Sequence, residues 1–326
     1  MGAGFPERLL IVRTGAIGDV VNALVFATAV KQAHPATEIG WVVHGLARPL
    51  VTGHPSVDRV HVWARGGGLA EVRRLLREIR EVGYGMAVDL QRIQKSALIA
   101  RFSGADRVLG LDRGRAKELS WLWTKEHVAA KPGEQHMVDL YMGFARYLGI
   151  DVPARRLLPN NEAAERWADA FLGELGAAPV LVNLGATKPE NRWIPERFGQ
   201  LADALAGELG APVVFTGSEA DRAMEVGALA ALAGESKVRS TVGQTDLLQL
   251  LALERRSRLF IGCDTGPMHM AAAVGTPCVV LFGPADPERT GPFGEGHSIV
   301  RAPDGKMAQL GVQAVLAGVL GLTGGA

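Results

Sequence analysis

The chain has little with which to tie itself together covalently. Its 326 residues include two cysteines, Cys263 and Cys278. Both sit in apolar runs (FIGC and PCVVLF), so they form neither a disulfide framework nor a zinc site and are expected to be buried structural thiols. Charge of one sign is also missing. The 35 Lys and Arg stand against 34 Asp and Glu, a formal net charge of +1. A general nucleic-acid binder carries a large basic excess and is excluded. With 48% hydrophobic residues, the chain is not disordered either. No apolar run reaches the roughly 18 residues of a transmembrane helix. The N-terminus carries Glu7 and Arg8 and lacks the apolar stretch of a secretory signal. A cytoplasmic protein is therefore expected. Aromatics are scarce at 6%, whereas glycine is abundant at 41 residues, a turn-rich composition. The length suggests two domains.

Short apolar runs alternate with helical stretches. LLIVR (9–13), EIGWVVH (38–44), RVHVW (59–63), MAVDL (86–90) and RVLGL (107–111) read as strands, with helices over 17–33 and 67–82. In the latter helix Leu69, Val72, Leu75, Leu76 and Ile79 share one face. A second series follows: PVLVNLG (179–185), PVVFTG (212–217), KVRSTVG (237–243), RLFIGCD (258–264) and PCVVLFG (277–283). Helices are expected near 195–209, 219–233, 245–256 and 266–274. Continuous apolar strands separated by helices predict parallel sheets covered on both faces. The fold class is thus α/β, in two doubly wound halves that join near VPARRLLPNN (152–161). The halves differ in charge. Residues 1–158 hold 22 Lys and Arg against 15 Asp and Glu, a net +7; residues 159–326 hold 13 against 19, a net −6.

Four segments could carry chemistry. In RTGAIGDVVNALV (13–25), a strand end and a glycine turn lead into a helix. Asp19 there is either a helix cap or a carboxylate directed at the crevice where open α/β sheets bind ligands. GAIG is not G-x-G-x-x-G, so a nicotinamide-dependent dehydrogenase loses its support. In FIGCDTGPMHMAAAVGTPCVVLFGP (260–284), Asp264 ends a strand, and Thr265, Gly266 and Pro267 open a helix that carries His269. Unpaired N–H groups and the helix dipole suit a diphosphate at that start, although Asp264 and Thr265 could be simple caps and His269 an ordinary packed residue. NLGATKPENRWIPERF (183–198) offers Thr187, Lys188 and Arg192 in a cationic loop. In VVFTGSEADR (213–222), Glu219 could accept hydrogen bonds from sugar hydroxyls or be an exposed first-turn carboxylate. No D-x-D pair and no His spacing suggests a metal.

Together with DLQRIQKSALIARFSGADRVLGLDRGRAKE in the first half and CDTGPMHMAAAVGTPCVVLFGPADPERTGPFG in the second, these blocks resemble glycosyltransferase family 9, whose best-known members are ADP-heptose:lipopolysaccharide heptosyltransferases. The resemblance runs over nearly the whole chain in the right order. It implies a GT-B architecture: two facing Rossmann-like domains with a cleft between them, the acceptor on residues 1–158 and the nucleotide-sugar on 159–326. It also implies a final helix, 311–320, that returns to the first domain. The implied reaction is inverting transfer of a heptose or related sugar from an ADP-sugar to a lipopolysaccharide core acceptor. By position, Asp19 matches the general base. Thr187, Lys188, Arg192, Glu219, Asp264, Thr265, Gly266 and His269 fall on the donor side, and Lys95 and Lys117 on the acceptor side. The nucleotide-sugar, ADP-heptose, is the co-substrate; no cofactor or metal is implied. An anionic glycolipid at the inner membrane surface is the implied partner, which gives the positive first half a meaning. A different GT-B glycosyltransferase or a sugar-nucleotide epimerase, with another nucleotide-sugar and glycan, is the alternative. A non-catalytic sugar-nucleotide sensor is a further one. Two positions depart from the family pattern. Asn191 stands where many members have Lys, and HMVDLYM (136–142) lacks the arginines of members that act on the inner core.

Overall fold

The computed structural model describes residues 4–129, 131, 133–233 and 238–324. They form two compact units that divide between Pro159 and Asn160. The first contains β1 (Arg8–Val12), α1 (Ile17–Ala33), β2 (Glu38–Val43), α2 (Arg48–Val51), β3 (Arg59–Val62), α3 (Gly68–Val82), β4 (Met86–Asp89), α4 (Gln94–Phe102), β5 (Arg107–Leu111), β6 (Glu126–Val128) and α5 (Met137–Tyr147). The second contains α6 (Glu162–Leu175), β7 (Val180–Asn183), α7 (Pro195–Leu209), β8 (Val213–Thr216), α8 (Arg222–Ala230), β9 (Val238–Ser240), α9 (Leu247–Arg255), β10 (Leu259–Cys263), α10 (Gly266–Ala273), β11 (Cys278–Phe282), α11 (Pro287–Thr290), β12 (His297–Arg301) and α12 (Val312–Thr323).

Each unit is built on a six-stranded sheet, ordered β3-β2-β1-β4-β5-β6 and β12-β11-β10-β7-β8-β9. Every pairing is parallel. Counted from its own first strand, each unit has the same order, 3-2-1-4-5-6. The order reverses beside β1 and β4 in one unit and beside β7 and β10 in the other. There Val12 pairs with Asp89, and Gly262 with Asn183. Both sheet faces are covered, because alternate residues enter different cores. Val180 and Val182 join the cluster of α7 and α12, while Leu181 joins that of α6, α9 and α10. This is why the strands read as unbroken apolar runs.

The structure departs from the sequence reading in several places. The edge strands β6 and β12 escaped it because neither is an apolar run: half-covered edges need no apolar residue at every position. Helices α4, α5 and α6 also went unread. The stretch 219–233 splits into a turn at Glu219–Asp221 and α8. The strand KVRSTVG is confined to Val238–Ser240 among the described residues, and its Lys237 lies outside them. On α3 only Leu75 and Ile79 are fully buried, and Leu69, expected on the apolar face, is 75% exposed. The helix expected at 311–320 is α12, which packs on β11, β12 and α7. Its Val315, Leu316 and Val319 fill the core of the second unit. Gly318 lies so close to the sheet that a Cβ would meet Val300 at 2.8 Å. Cys263 and Cys278 are buried and unbridged, and burial pushes the Cys263 thiol up to about 12.

One acidic group lies deep in the second unit. Glu254 on α9 is fully buried, and neither carboxyl oxygen has a hydrogen-bond partner among the described residues. Burial raises its pKa well above the ordinary value, against the pull of Arg255. The folded chain therefore holds a proton that the unfolded chain releases once the pH passes about 4.3. Stability from this group is full below that pH and is lost as the pH rises toward the folded pKa. Glu254→Gln should be more stable than wild type at pH 8, on the order of 2 kcal/mol, with a smaller gap at pH 5. Urea unfolding at the two pH values checks this, and an equal gap at both would contradict it.

Candidate functional site

Arg13 and Thr14 follow β1 at the reversal point of the first sheet. Asp19 sits in the first turn of α1, whose N-cap residue Ala16 offers no side-chain hydrogen bond. Asp19 does not act as that cap. Its Oδ2 pairs with Nη2 of Arg13, whose side chain is only 4% exposed while that of Asp19 is 39% exposed. Arg13 thus holds from below a carboxylate that opens to solvent. The guanidinium lies 6.0 Å from the Tyr141 ring centre, and the Trp41 indole N–H donates to the Arg13 carbonyl at 2.8 Å. Asp89, ending β4 beside β1, is buried; it accepts from the backbone N–H groups of Gln91 and Arg92 at 3.0 and 3.3 Å. Burial raises its pKa to about 6, against the opposing effects of Ser96, those N–H groups and the positive charge of Arg13. Gln91 accepts from the backbone N–H and hydroxyl of Thr14 at 2.8 and 3.2 Å, which fastens the two strand ends together.

Lys95 and Lys117 reach the same corner of this unit. The Lys117 N–H donates to the Arg92 carbonyl at 2.8 Å, and Glu118 accepts from the Gln94 N–H at 3.3 Å. The loop after β5 is thereby tied to the start of α4, and both lysines are exposed.

At the reversal point of the second sheet, Asp264 follows β10. It accepts from the Thr290 hydroxyl at 3.0 Å and lies 3.6 Å from Nε2 of His269. Thr265 is the N-cap of α10, but its side chain does not cap. Its hydroxyl donates back to the Cys263 carbonyl at 3.2 Å. The Thr265 side chain therefore leaves the first N–H groups of α10 uncapped, and Gly266 brings no side chain between them and a ligand. Such a start, with the helix dipole behind it, binds anions.

Thr187, Lys188 and Arg192 are exposed in the loop after β7, and the Arg192 Nε–H donates to the Ala186 carbonyl at 3.2 Å. Trp193 anchors that loop from within. Its indole donates to the Leu310 carbonyl at 2.8 Å, and its ring meets Phe198 edge-on at 4.8 Å. Asn191 is buried beside it. Glu219, after β8, stands apart from Asp264. It is 73% exposed and paired with Arg222 at 3.1 Å, and Arg222 also holds buried Glu225 at 3.0 Å. The structure thus brings Asp264, Thr265, Gly266 and His269 together, sets Thr187, Lys188 and Arg192 on the neighbouring loop, and leaves Glu219 one strand further out.

Five residues that bear on these sites were missed: Arg13, Asp89, Gln91, Thr290 and Gly243. A signal for Asp89 existed. MAVDL and FIGCD each carry an Asp at or just past the end of the fourth strand of their unit, Asp89 as the last residue of β4 and Asp264 just after β10. Gly243, at φ +66°, leaves room for Glu219: a Cβ there would collide with Glu219 Oε2. Among the described residues, no cluster of three or more His, Cys, Asp or Glu is placed to hold a metal.

The sequence model of glycosyltransferase family 9 (heptosyltransferase) matches residues 72–319. The chain belongs to glycosyltransferase family 9. It is 30% identical over 304 residues to lipopolysaccharide heptosyltransferase 1 of Pseudomonas aeruginosa, covering 89% of this chain and 82% of that protein. A family 9 glycosyl transferase from Veillonella parvula superposes with a TM-score of 0.87 at 22% identity, over 98% of this chain and 97% of that one. E. coli heptosyltransferase WaaC, solved with ADP-2-deoxy-2-fluoro heptose, does so with a TM-score of 0.78 at 25% identity, over 96% and 98%. This family 9 chain is a glycosyltransferase, and its fold is GT-B.

Gly243→Ala should destabilise this glycosyltransferase by about 1–2 kcal/mol, the cost of a left-handed non-glycine residue, with Glu219 displaced besides. Thermal unfolding measures it, and a variant as stable as wild type would remove Gly243 from the account.

Proposed function

We propose that this glycosyltransferase moves a heptose from ADP-heptose to a lipopolysaccharide core acceptor, with inversion at the anomeric carbon. The observation that carries the reading is that Asp19 and the uncapped start of α10 each stand at the reversal point of their own sheet. The heptosyltransferase names of the relatives support the sugar and the acceptor class.

Asp19 accepts the proton of the acceptor hydroxyl as that oxygen attacks the anomeric carbon. Arg13 fixes the carboxylate for this role. The bond to the diphosphate breaks, and negative charge grows on the leaving ADP. The N–H groups at Thr265 and Gly266 and the dipole of α10 stabilise that charge, with Lys188 and Arg192 adding positive charge from the loop after β7. The Thr187 hydroxyl binds the diphosphate as well. Asp264, oriented by Thr290 and facing His269, positions the donor sugar. Glu219 accepts from hydroxyls of the nucleotide ribose. Lys95 and Lys117 bind anionic groups of the acceptor, an anionic glycolipid at the inner membrane surface. The enzyme works there peripherally in this reading; no helix among the described residues is long and apolar enough to cross a membrane. Neither a metal nor any cofactor beyond the nucleotide-sugar enters the scheme.

Asp19→Ala should keep ADP affinity within about two-fold and lower transfer by about 10²–10⁴-fold, the usual contribution of a general base. Calorimetric titration with ADP and a coupled ADP-release assay read the two quantities. Transfer near the wild-type rate would remove Asp19 as the base.

A further inference from the structure

The apolar stripe of α3 is longer than the core beneath it. Leu75 and Ile79 are buried against the sheet, but Leu69, Val72 and Leu76 line a groove of about 900 Å³ that lies wholly within the first unit. Leu98, Ile99 and Phe102 of α4 also line it. Leu69 and Phe102 remain 75% and 45% exposed, a high exposure for large apolar side chains. The groove reaches Thr14 and Gln91, the pair that fastens the strand ends next to Arg13 and Asp19. Arg65 and Lys95 line it too. Along α3 the exposed Arg73, Arg77 and Arg80, with Glu81, border a neighbouring depression of about 480 Å³.

An apolar trough with cations along it has the chemistry of a site for an anionic amphiphile. A second copy of the chain is a poor occupant. A self-complementary contact would set the groove's own cations, Arg65 and Lys95, against their copies with no acidic residue in the lining to meet them, and like charges brought together oppose association. The groove also has the volume of a small-molecule pocket, rather than the broad flat patch of a stable dimer.

We propose that the groove between α3 and α4 takes one apolar chain of the acceptor, an anionic amphiphile whose charged head lies at Arg65 and Lys95 and whose reacting hydroxyl lies at Asp19. This rests on the proposed transfer to a glycolipid, and adds that the enzyme reads the lipid as well as the sugar. The groove gives the acceptor a fixed end, so that its hydroxyl is presented to one carboxylate.

Transfer from ADP-heptose is measured on heptose-deficient lipopolysaccharide and on the same material stripped of acyl chains, using wild type, Leu98→Glu and Leu98→Met. Leu98→Glu should lower the ratio of kcat/KM for acylated over stripped acceptor at least about ten-fold, mainly through KM, and Leu98→Met should restore it. An unchanged ratio overturns the groove. If wild type transfers to neither acceptor, the assignment of this acceptor fails, and direct titration then decides the groove. Dodecyl phosphate below its micellar concentration should bind wild type at least about ten-fold more tightly than Leu98→Glu, and more tightly than neutral dodecyl maltoside does. Equal binding to both proteins overturns the proposal. So does a Leu98→Glu protein whose only change is its state of association, which would mark the groove as a contact between copies.

Discussion

A parallel sheet whose strand order reverses beside its first strand sends its crossovers to opposite faces. At that point the strand ends are left uncovered. This constraint governs both units of the chain. Most of what is assigned to chemistry follows β1, β4, β7 or β10, because those are the backbone ends that the topology leaves free to meet a ligand; Lys117, after β5, and Glu219, after β8, stand one strand further out. The two units share the order and use it differently. The first surrounds a carboxylate with buried and exposed cations; the second presents the start of a helix.

The electrostatics of the two ends are complementary in kind. In the first unit a negative group, Asp19, is held by a buried positive one, Arg13, with a second carboxyl, Asp89, buried nearby. Two acidic groups around one guanidinium keep a charged side chain in place where it would otherwise be costly to bury. In the second unit the proposed diphosphate site offers backbone N–H groups at the start of α10 and the loop cations Lys188 and Arg192, although that half of the chain is net negative. The proposal therefore rests on local dipoles rather than net charge, and the near-zero charge of the whole chain conceals the difference.

Much of the fold was legible in the sequence. Strands buried on both faces announce themselves as apolar runs, so the inner strands β1, β2, β4, β5, β7, β8, β10 and β11 could be read. Edge strands are covered less and carry mixed residues; β3, with its alternating valines, and β9 could still be read, whereas β6 and β12 went unread. What the last helix packs on was not legible, because periodicity shows that a helix has an apolar face and not which residues meet it; here Val315, Leu316 and Val319 join the core of the second unit, with Gly318 close to Val300. Leu69 shows the same limit, since a residue on the apolar face of α3 can border a groove as well as a core. At the site, Asp19, Asp264 and Thr265 were visible as polar residues just past strand ends. Arg13, Gln91 and Thr290 were not, because what they do depends on partners 6, 77 and 26 residues away in sequence.

The central claim is that a single carboxylate, Asp19, activates the acceptor for a one-step displacement, with no covalent sugar on the enzyme. The anomeric configuration of the product tests it most directly. NMR of the heptosyl product formed from ADP-heptose should show inversion relative to the donor, and mass spectrometry of the enzyme during turnover should show no sugar adduct. Retained configuration, or an adduct on any carboxylate, would mean a second nucleophile and would contradict the account.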